Sequence, residues 1–144
     1  MKIRVVLIAT TLFWASCKKE TPSSPPTDPP PSDETVVLSG EIVQNLTLVA
    51  QKRYMLDGFV YVKAGATLTI EPGTVVMGVP NTKATLIIER GAKIKAEGTR
   101  EKPIVFTSAK APGERNYGDW GGIIVCGRAP INVPGNEAVV EGGV

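Results

Sequence analysis

VYVKAGATLTIEPGTVV, at residues 60–76, contains two overlapping copies of one nine-residue pattern. The pattern is apolar, any, apolar, any, any, Gly, any, any, apolar, and it recurs as LIIERGAKI at residues 86–94. Alternating apolar residues indicate a short β-strand, and the glycine indicates a tight turn before the next strand. One such unit is too small to bury its own apolar face, so neighbouring units must stack. The sequence therefore predicts an all-β fold, a right-handed parallel β-helix.

The alternation predicts which side chains point into the shaft of the helix, because successive residues of a strand face opposite sides. The inward-facing residues are expected to be Val60, Val62, Leu68, Ile70, Leu86 and Ile88. Their neighbours Tyr61, Thr69 and Ile87 are expected to face outward, onto a sheet surface or into a second packed layer.

The three glycines of the pattern are predicted to be structural turn residues. Gly65, Gly73 and Gly91 each stand two residues after the charged residue that follows a strand, where a turn needs positive φ. Pro72 before Gly73 fits the central pair of a type II turn.

The spacing of strand starts gives the expected coil lengths. If Leu46, Leu68, Leu86 and Ile123 are equivalent, the intervals are 22, 18 and 37 residues. The last interval is too long for one coil and must contain an insertion, which is predicted at 109–119, where AKAPGERNYGD has the composition of an irregular loop.

Residues 1–16 are predicted to be a lipoprotein signal peptide. A basic start is followed by a mostly apolar run at residues 5–14, too short for a permanent membrane span. Ala15 and Ser16 stand directly before Cys17, as in a bacterial lipobox, although Trp14 replaces the usual leucine. Cys17 is therefore the predicted lipidation site; the alternative is an ordinary signal peptide with Cys17 incidental.

Residues 17–35 are predicted to be the lipidated cysteine and a disordered linker. The stretch KKETPSSPPTDPPPSDET at residues 18–35 has six prolines and no large apolar side chain, which is typical of a stiff, solvated stalk. Residues 36–144 are then the β-helix domain.

The composition excludes several functions. The sequence has no histidine, which removes the commonest general base and metal ligand. Its 16 basic and 14 acidic residues become 14 of each once Lys2 and Arg4 are removed with the signal, so the mature chain gives no electrostatic reason to bind nucleic acid. No cofactor or metal site is predicted.

Four strings make a specific combination: LDGFVYVKAGATLTIEPGTVV, LIIERGAKIKAEGTREKPIVFTS, YGDWGGIIVCGRAPIN and EGG near the end. With them, residues 38–144 resemble a largely uncharacterised family of secreted lipoproteins from the Bacteroidota. The resemblance implies a right-handed parallel β-helix in an envelope lipoprotein, with no known catalytic site. Members of that family usually continue beyond the EGG string, so the resemblance also implies that the domain is incomplete at its C-terminus, with an open coil end that could stack on another chain.

The candidate ligand-binding residues are aromatic and charged side chains, one at an outward position of a strand and the others on or beside the insertion. They are Tyr61, Arg115, Tyr117, Asp119 and Trp120. The aromatic rings could stack on sugars, and Arg115 and Asp119 could form a site with Glu114. The alternatives are packing for Trp120 and a loop salt bridge of small stability for the charged residues.

Two further features have structural alternatives. Glu71 and Glu89, 18 residues apart, are expected to stack in adjacent coils, as a cation or sugar site or as a solvated row. Cys126 is expected to be a small, half-buried hydrophobic residue rather than a reactive thiol.

The sequence favours a binding protein over an enzyme: a lipid-anchored outer-membrane protein, periplasmic or surface-facing, that presents a β-helical scaffold to a glycan or an envelope protein. One alternative is a carbohydrate-active β-helix enzyme whose catalytic coils lie outside this chain. The other is a purely structural spacer.

Overall fold

The computed structural model describes residues 34–140. The predicted signal peptide, Cys17, nearly all of the proline-rich linker and the EGG string lie outside the described residues. The first strand begins at Thr35, one residue before the predicted start of the domain, and Glu34 before it forms an ion pair with Lys52, with Oε1 2.7 Å from Nζ.

The described residues form nine β-strands and one 3₁₀ turn. They are β1 (Thr35–Ile42), β2 (Leu46–Leu48), β3 (Arg53–Val62), β4 (Thr67–Ile70), β5 (Val75–Gly78), β6 (Thr85–Ile88), β7 (Lys93–Ala96), β8 (Val105–Ser108), β9 (Gly122–Val125) and the turn Pro134–Asn136.

All strand pairs are parallel, and the strands form two sheets. The large sheet has the order β8-β5-β3-β6-β9, with β1 also paired to β3, and the small sheet has the order β2-β4-β7. Each coil contributes one strand to the small sheet and either one strand or two consecutive strands to the large sheet, and these lie beside the strands of the coil before. The all-β, parallel β-helical fold predicted from the nine-residue pattern is confirmed.

The large sheet is built from half-strands. The ten-residue strand β3 pairs through Arg53–Leu56 with β5 and through Phe59–Val62 with β6. The next coil repeats this arrangement, because β8 pairs with β5 and β9 pairs with β6. Each coil of the large sheet therefore consists of two collinear segments with a junction between them.

The register corrects one of the predicted coil lengths. Leu46 pairs with Leu68, and Leu86 pairs with Ile123, so the intervals of 22 and 37 residues are right. The interval of 18 residues is wrong, because Leu68 lies in the small sheet and pairs with Ile94, whereas Leu86 lies in the large sheet. The nine-residue pattern marks a corner between the two sheets, and one coil contains two such corners.

The core is a set of aliphatic ladders along the shaft. All six predicted inward-facing residues are at most 2% exposed, which confirms the predicted alternation. Val60 stands beside Leu86, and Val62 beside Ile88, at equal positions of adjacent strands. Burial of each such side chain contributes about 1.5–3 kcal/mol to stability.

The outward-facing residues differ in their exposure. Tyr61 and Thr69 are half-buried, as expected for a sheet surface. Ile87 is fully buried although it is not part of the shaft cluster, so it does not lie on an exposed sheet surface.

Gly65 and Gly91 occupy equivalent corners of successive coils, where the chain leaves the large sheet, and Gly73 occupies the other corner, where the chain returns to it. Their φ values are 90° at Gly65, 88° at Gly73 and 92° at Gly91. In each turn the amide of the residue after the glycine donates to the carbonyl three residues earlier, as Thr74 does to Glu71 at 3.2 Å. The corners also bond to one another, because the Gly65 amide donates to the Gly91 carbonyl at 3.0 Å.

Within residues 34–140, no helix has both the length and the apolar character needed to cross a membrane.

Replacement of Gly65 isolates the energetic contribution of its backbone conformation. A β-carbon built there meets no atom within 4 Å, so Gly65→Ala introduces strain and no clash. We expect it to lower the free energy of unfolding by about 1–2 kcal/mol, the penalty of the left-handed region for a residue with a side chain. Gly65→Asn should lower it less, because asparagine tolerates that region. Urea denaturation followed by circular dichroism measures the difference.

Gly127→Ala is the matched control, because Gly127 lacks a positive φ and its added β-carbon would meet nothing closer than 3.9 Å. It should be neutral or stabilising by less than about 1 kcal/mol. Equal destabilisation by the two alanine variants would contradict this explanation of the turn.

Candidate functional site

Loops emerge from the junctions of the large sheet, and they lengthen from coil to coil. The junction is two residues long at 57–58, between the halves of β3, and six residues long at 79–84, between β5 and β6. It reaches thirteen residues at 109–121, between β8 and β9. The predicted insertion at 109–119 is therefore confirmed, and it follows a shorter loop at the equivalent position of the preceding coil. We call the two longer segments the short loop (79–84) and the long loop (109–121).

The short loop is fixed to the coil before it. The hydroxyl of Thr82 accepts a hydrogen bond from the Gly58 amide at 3.1 Å and donates to the Val79 carbonyl at 2.9 Å. Asn81 and Lys83 on either side have φ values of 66° and 57°. Left-handed conformations of residues other than glycine concentrate at functional sites, because the surrounding structure must offset their strain.

The long loop is fixed at both ends to the coil below it. The Ala109 amide donates to the Gly78 carbonyl at 2.9 Å, and the Gly121 amide donates to the Ala84 carbonyl at 2.7 Å. Trp120 packs against Gly78 so closely that a β-carbon there would lie 2.5 Å from the Trp120 Cβ. The packing role that the sequence left open for Trp120 is therefore real.

Asp119 holds the long loop together from inside. Its side chain is 5% exposed, and Oδ1 lies 2.6 Å from the Lys110 ammonium. Oδ2 accepts a hydrogen bond from the Asn116 amide at 2.8 Å. These interactions, first of all the hydrogen bond from Lys110, lower the pKa of Asp119 to about 2.

The predicted pairing of Arg115 with Asp119 is wrong. Lys110 lies nine residues before Asp119, near the other end of the long loop. Closure of the loop brings the Lys110 ammonium, and not the Arg115 guanidinium, beside the Asp119 carboxylate. Arg115 instead donates from Nε to the Lys110 carbonyl at 2.9 Å. Lys110 thus anchors both residues, through its side chain and its backbone.

The two loops enclose a cleft of about 240 Å³, which we call the loop cleft. It is lined by Asn81, Lys83, Gly118, Asp119, Trp120 and Gly121. The lining residues thus include a tryptophan, an asparagine and a lysine. Asp119 contributes little free hydrogen-bonding capacity, because its two oxygens are already engaged.

A second cleft, of about 260 Å³, lies over the outer face of the large sheet, and we call it the arginine cleft. It is lined by Ala50, Lys52, Arg53, Gly73, Val75, Met77 and Arg115.

The structure brings some of the predicted residues together and separates others. Asp119 and Trp120 line the loop cleft, and Arg115 lines the arginine cleft. Tyr117 is 95% exposed on the long loop. Tyr61 lies on β3 and lines neither cleft; its ring centroid is 6.1 Å from that of Phe59.

Sequence reasoning missed Asn81 and Lys83. The stretch VPNTKA, at residues 79–84, carries the proline and asparagine of a loop, which was a usable signal. Lys52 and Arg53 of the arginine cleft carried no such signal, because only the register places them near residue 115.

The expected stacking of Glu71 and Glu89 is wrong for the same reason as the 18-residue interval. Glu71 follows the small sheet, where Oε2 accepts a hydrogen bond from the Ala50 amide at 3.3 Å. Glu89 follows the large sheet, where Oε1 lies 2.6 Å from the Lys63 ammonium.

Cys126 is free and half-buried, and it lines a cleft beside Arg90 and Glu137, whose side chains form an ion pair. Among residues 34–140, no group of three or more His, Cys, Asp or Glu side chains is placed to hold a metal ion.

The comparison with protein families is decisive for the fold. The sequence profile described as a pectate-lyase-like beta-helix domain matches residues 40–144. The chain belongs to the pectate-lyase-like beta-helix domain family. No curated protein and no solved structure matches the sequence. Membership in this family agrees with the parallel β-helix, whereas the Bacteroidota origin and the lipid anchor stay predictions.

In this beta-helix domain, the interactions that Asp119 makes inside the long loop should give the free energy of unfolding a specific dependence on pH. A carboxyl group with a pKa near 2 in the folded chain and about 3.9 in the unfolded chain stabilises the folded state fully above the unfolded value. That stabilisation is lost as pH falls through 4 towards about 2. Asp119→Asn removes the titration, so the stability difference between the native chain and the variant should shrink as pH falls from about 5 to 2. Urea denaturation at several pH values measures it.

Asp57→Asn, at an exposed aspartate in the first junction, is the control. It removes a carboxylate outside the long loop, so it subtracts the general effect of losing one surface charge. If the stability difference of Asp119→Asn does not shrink with falling pH relative to this control, Asp119 does not hold the loop as described.

Proposed function

We propose that this chain is an exported, lipid-anchored envelope protein whose β-helix binds glycans at the loop cleft. Catalysis is not part of this proposal. The observation that carries it is the convergence of Trp120, Asn81 and Lys83 in one cleft between two loops that are both fixed to the scaffold.

The chemistry of the cleft suits a sugar. The apolar face of a pyranose packs on an aromatic ring, and its hydroxyl groups need a few well-placed polar partners. The Asn81 amide can donate and accept, and the Lys83 ammonium can donate to ring or hydroxyl oxygens. Because the loops are already ordered, little conformational entropy is lost on binding.

The scaffold supports the same interpretation. Binding residues are often placed on loops held by a rigid framework. Here each coil offers the same junction, so a long ligand could contact several coils in succession. Family membership adds weight, because the family is named for its likeness to pectate lyase, and pectate is a polysaccharide.

Glycan binding is tested on an array, followed by titration of the best ligand with the full chain. Lys83→Asn removes the ammonium and keeps a residue that tolerates the left-handed backbone. We expect it to weaken binding about tenfold or more, the loss of one hydrogen bond to a charged group. Once residues 1–16 are removed with the predicted signal, Trp120 is the only tryptophan in the sequence, so its fluorescence should respond to the same ligand.

Lys93→Ala, at an exposed position of the small sheet, is the matched control and should bind as the native chain does. Absence of binding to any glycan, or equal affinity of the Lys83→Asn and native chains, would remove the loop cleft from consideration.

The family description also favours a second candidate, a carbohydrate-active enzyme. In that case the active site lies in coils outside this chain. Release of unsaturated or reducing sugar by the native envelope protein would support it. Binding of a glycan without release of sugar would support the binding scaffold. If the protein neither binds a glycan nor releases sugar, the structural spacer is the remaining candidate.

The membrane attachment is a separate part of the proposal. We expect lipid on Cys17, with residues 18–33 as a stalk that holds the β-helix away from an outer-membrane surface. Cys17→Ser should abolish the acyl mass on the intact protein and release it from the membrane fraction. Cys126→Ser removes the other cysteine of the chain and should leave the lipid in place. Retention of acyl chains in the Cys17→Ser variant would place the anchor elsewhere.

A further inference from the structure

One half of the large sheet has an apolar outer surface. This half lies before the junction loops and consists of β5, β8 and the first parts of β1 and β3. Its outward-facing side chains include two methionines and three valines, which we call the outer apolar face: Val37, Met55, Val75, Met77 and Val105. Val37 is 58% exposed and Val105 is 39% exposed, and the other three are half-buried.

The register joins these side chains into one continuous surface. Val37 stands beside Met55, and Met55 beside Met77, at equal positions of adjacent strands. Val75 stands beside Val105 in the next row. Because neighbouring strands lie about 4.8 Å apart, the four strands make a surface about 14 Å wide.

The small sheet shows that the scaffold does not require an apolar outer surface. Its outward positions carry only threonine and lysine: Thr47, Thr67, Thr69, Lys93 and Lys95. Polar side chains are usual on the solvent face of a sheet whose other face packs on a core. A contiguous exposed apolar surface instead marks a site of interaction with a partner.

The arginine cleft overlaps the outer apolar face and adds positive charge to it. Val75 and Met77 belong to both, and Arg53 and Arg115 are the arginines of the cleft. The ammonium of Lys52, in the same lining, is already paired with a carboxylate. Within residues 34–140, neither arginine forms an ion pair with a carboxylate, and no acidic side chain lines the cleft.

The long loop holds Arg115 over the sheet. Its Nε donates to the Lys110 carbonyl at 2.9 Å, and the Lys110 ammonium is itself held by Asp119 at 2.6 Å. The terminal nitrogens of Arg115 remain available as donors. A guanidinium that is oriented in advance loses less entropy when it binds a carboxylate through two parallel hydrogen bonds.

The charge of the surface is unevenly distributed along the strands. The outward residues of the first part of β3 are Arg53, Met55 and Asp57 in that order. A guanidinium therefore lies at the end far from the junction, and a carboxylate lies at the junction. An acidic group of a partner is attracted to the arginine end and repelled from the other end.

The composition of this surface favours a protein as its partner. Methionine and arginine are enriched in protein–protein interfaces, and methionine side chains adapt their shape to a partner. A flat lipid surface cannot enter a cleft of about 260 Å³ that Arg115 overhangs. A second copy docked through the same face about a two-fold axis would bring the arginines of both copies together, and like charges repel each other.

We propose that the outer apolar face and the arginine cleft form a docking site for another protein. The partner segment places an aspartate or glutamate at Arg53 and Arg115 and rests apolar side chains on the methionines and valines. Docking at this face does not depend on glycan binding, because the loop cleft has its own lining residues.

The probe is a phage-displayed library of random peptides, selected on the full chain and remeasured as synthetic peptides by fluorescence anisotropy. We expect the enriched peptides to combine an acidic residue with apolar residues. Exchange of that acidic residue for its amide should weaken binding about tenfold or more, because it removes a hydrogen-bonded charge.

Variants of the chain assign the binding to the face. Arg115→Gln should weaken binding of the acidic peptide about tenfold and barely affect its amide form, because both changes remove the same interaction. Val75→Thr keeps the branched shape, places a hydroxyl on the apolar surface and should weaken binding severalfold. Thr69→Val, the reverse exchange on the outer side of the small sheet, and Arg100→Gln, at an exposed position outside the cleft, should change nothing. Circular dichroism verifies that each variant is folded.

Contrary outcomes are equally specific. Selection of no peptide, enrichment of peptides without an acidic residue, or binding that survives both Arg115→Gln and Val75→Thr would overturn the docking site.

Two further measurements cover the other occupants of the face. A Cys17→Ser chain, which lacks the predicted acyl anchor, should not sediment with vesicles of phosphatidylethanolamine and phosphatidylglycerol. Sedimentation that Arg115→Gln abolishes would assign the face to a lipid surface instead. Sedimentation velocity should show a monomer, and a dimer that Val37→Lys separates would assign the face to a second copy of the chain.

Discussion

The parallel backbone register between coils is the constraint on which the rest of the structure depends. Each strand offers its neighbour a complete row of donors and acceptors, so equal positions of successive coils lie side by side. That register stacks the aliphatic side chains into ladders and the turn glycines into corners. It also makes each junction of the large sheet open at the same place, which is where the short and long loops emerge.

Local patterns could predict the parts of the fold that repeat. Alternation identified the shaft residues, and the glycines marked corners, because both features are set by one strand and one turn. The pattern could not indicate which sheet a strand joins, since strands of both sheets show the same alternation of buried and outward-facing residues. For that reason Leu68 and Leu86 looked equivalent, although their partners are Ile94 and Val60.

The candidate site depends on distances across coils, which a linear pattern does not contain. The sequence located the long loop and proposed four residues within it, of which Trp120, Asp119 and Arg115 line clefts. The salt-bridge partner of Asp119 was missed, because loop closure and not proximity in sequence brings Lys110 to it. The short loop was not predicted to be part of the candidate site. Its six residues did not make the predicted interval between Leu68 and Leu86 look too long for one coil.

Backbone NMR of the chain during titration with its glycan is the most direct test of binding at the junction loops, because it reports every coil position at once. We expect amide shift changes in the short loop and the long loop, with the small-sheet residues Thr47, Thr69 and Lys95 unchanged. Shift changes centred on the small sheet, without changes at the amides of either loop, would show that the binding site is not formed by the loops of the large sheet.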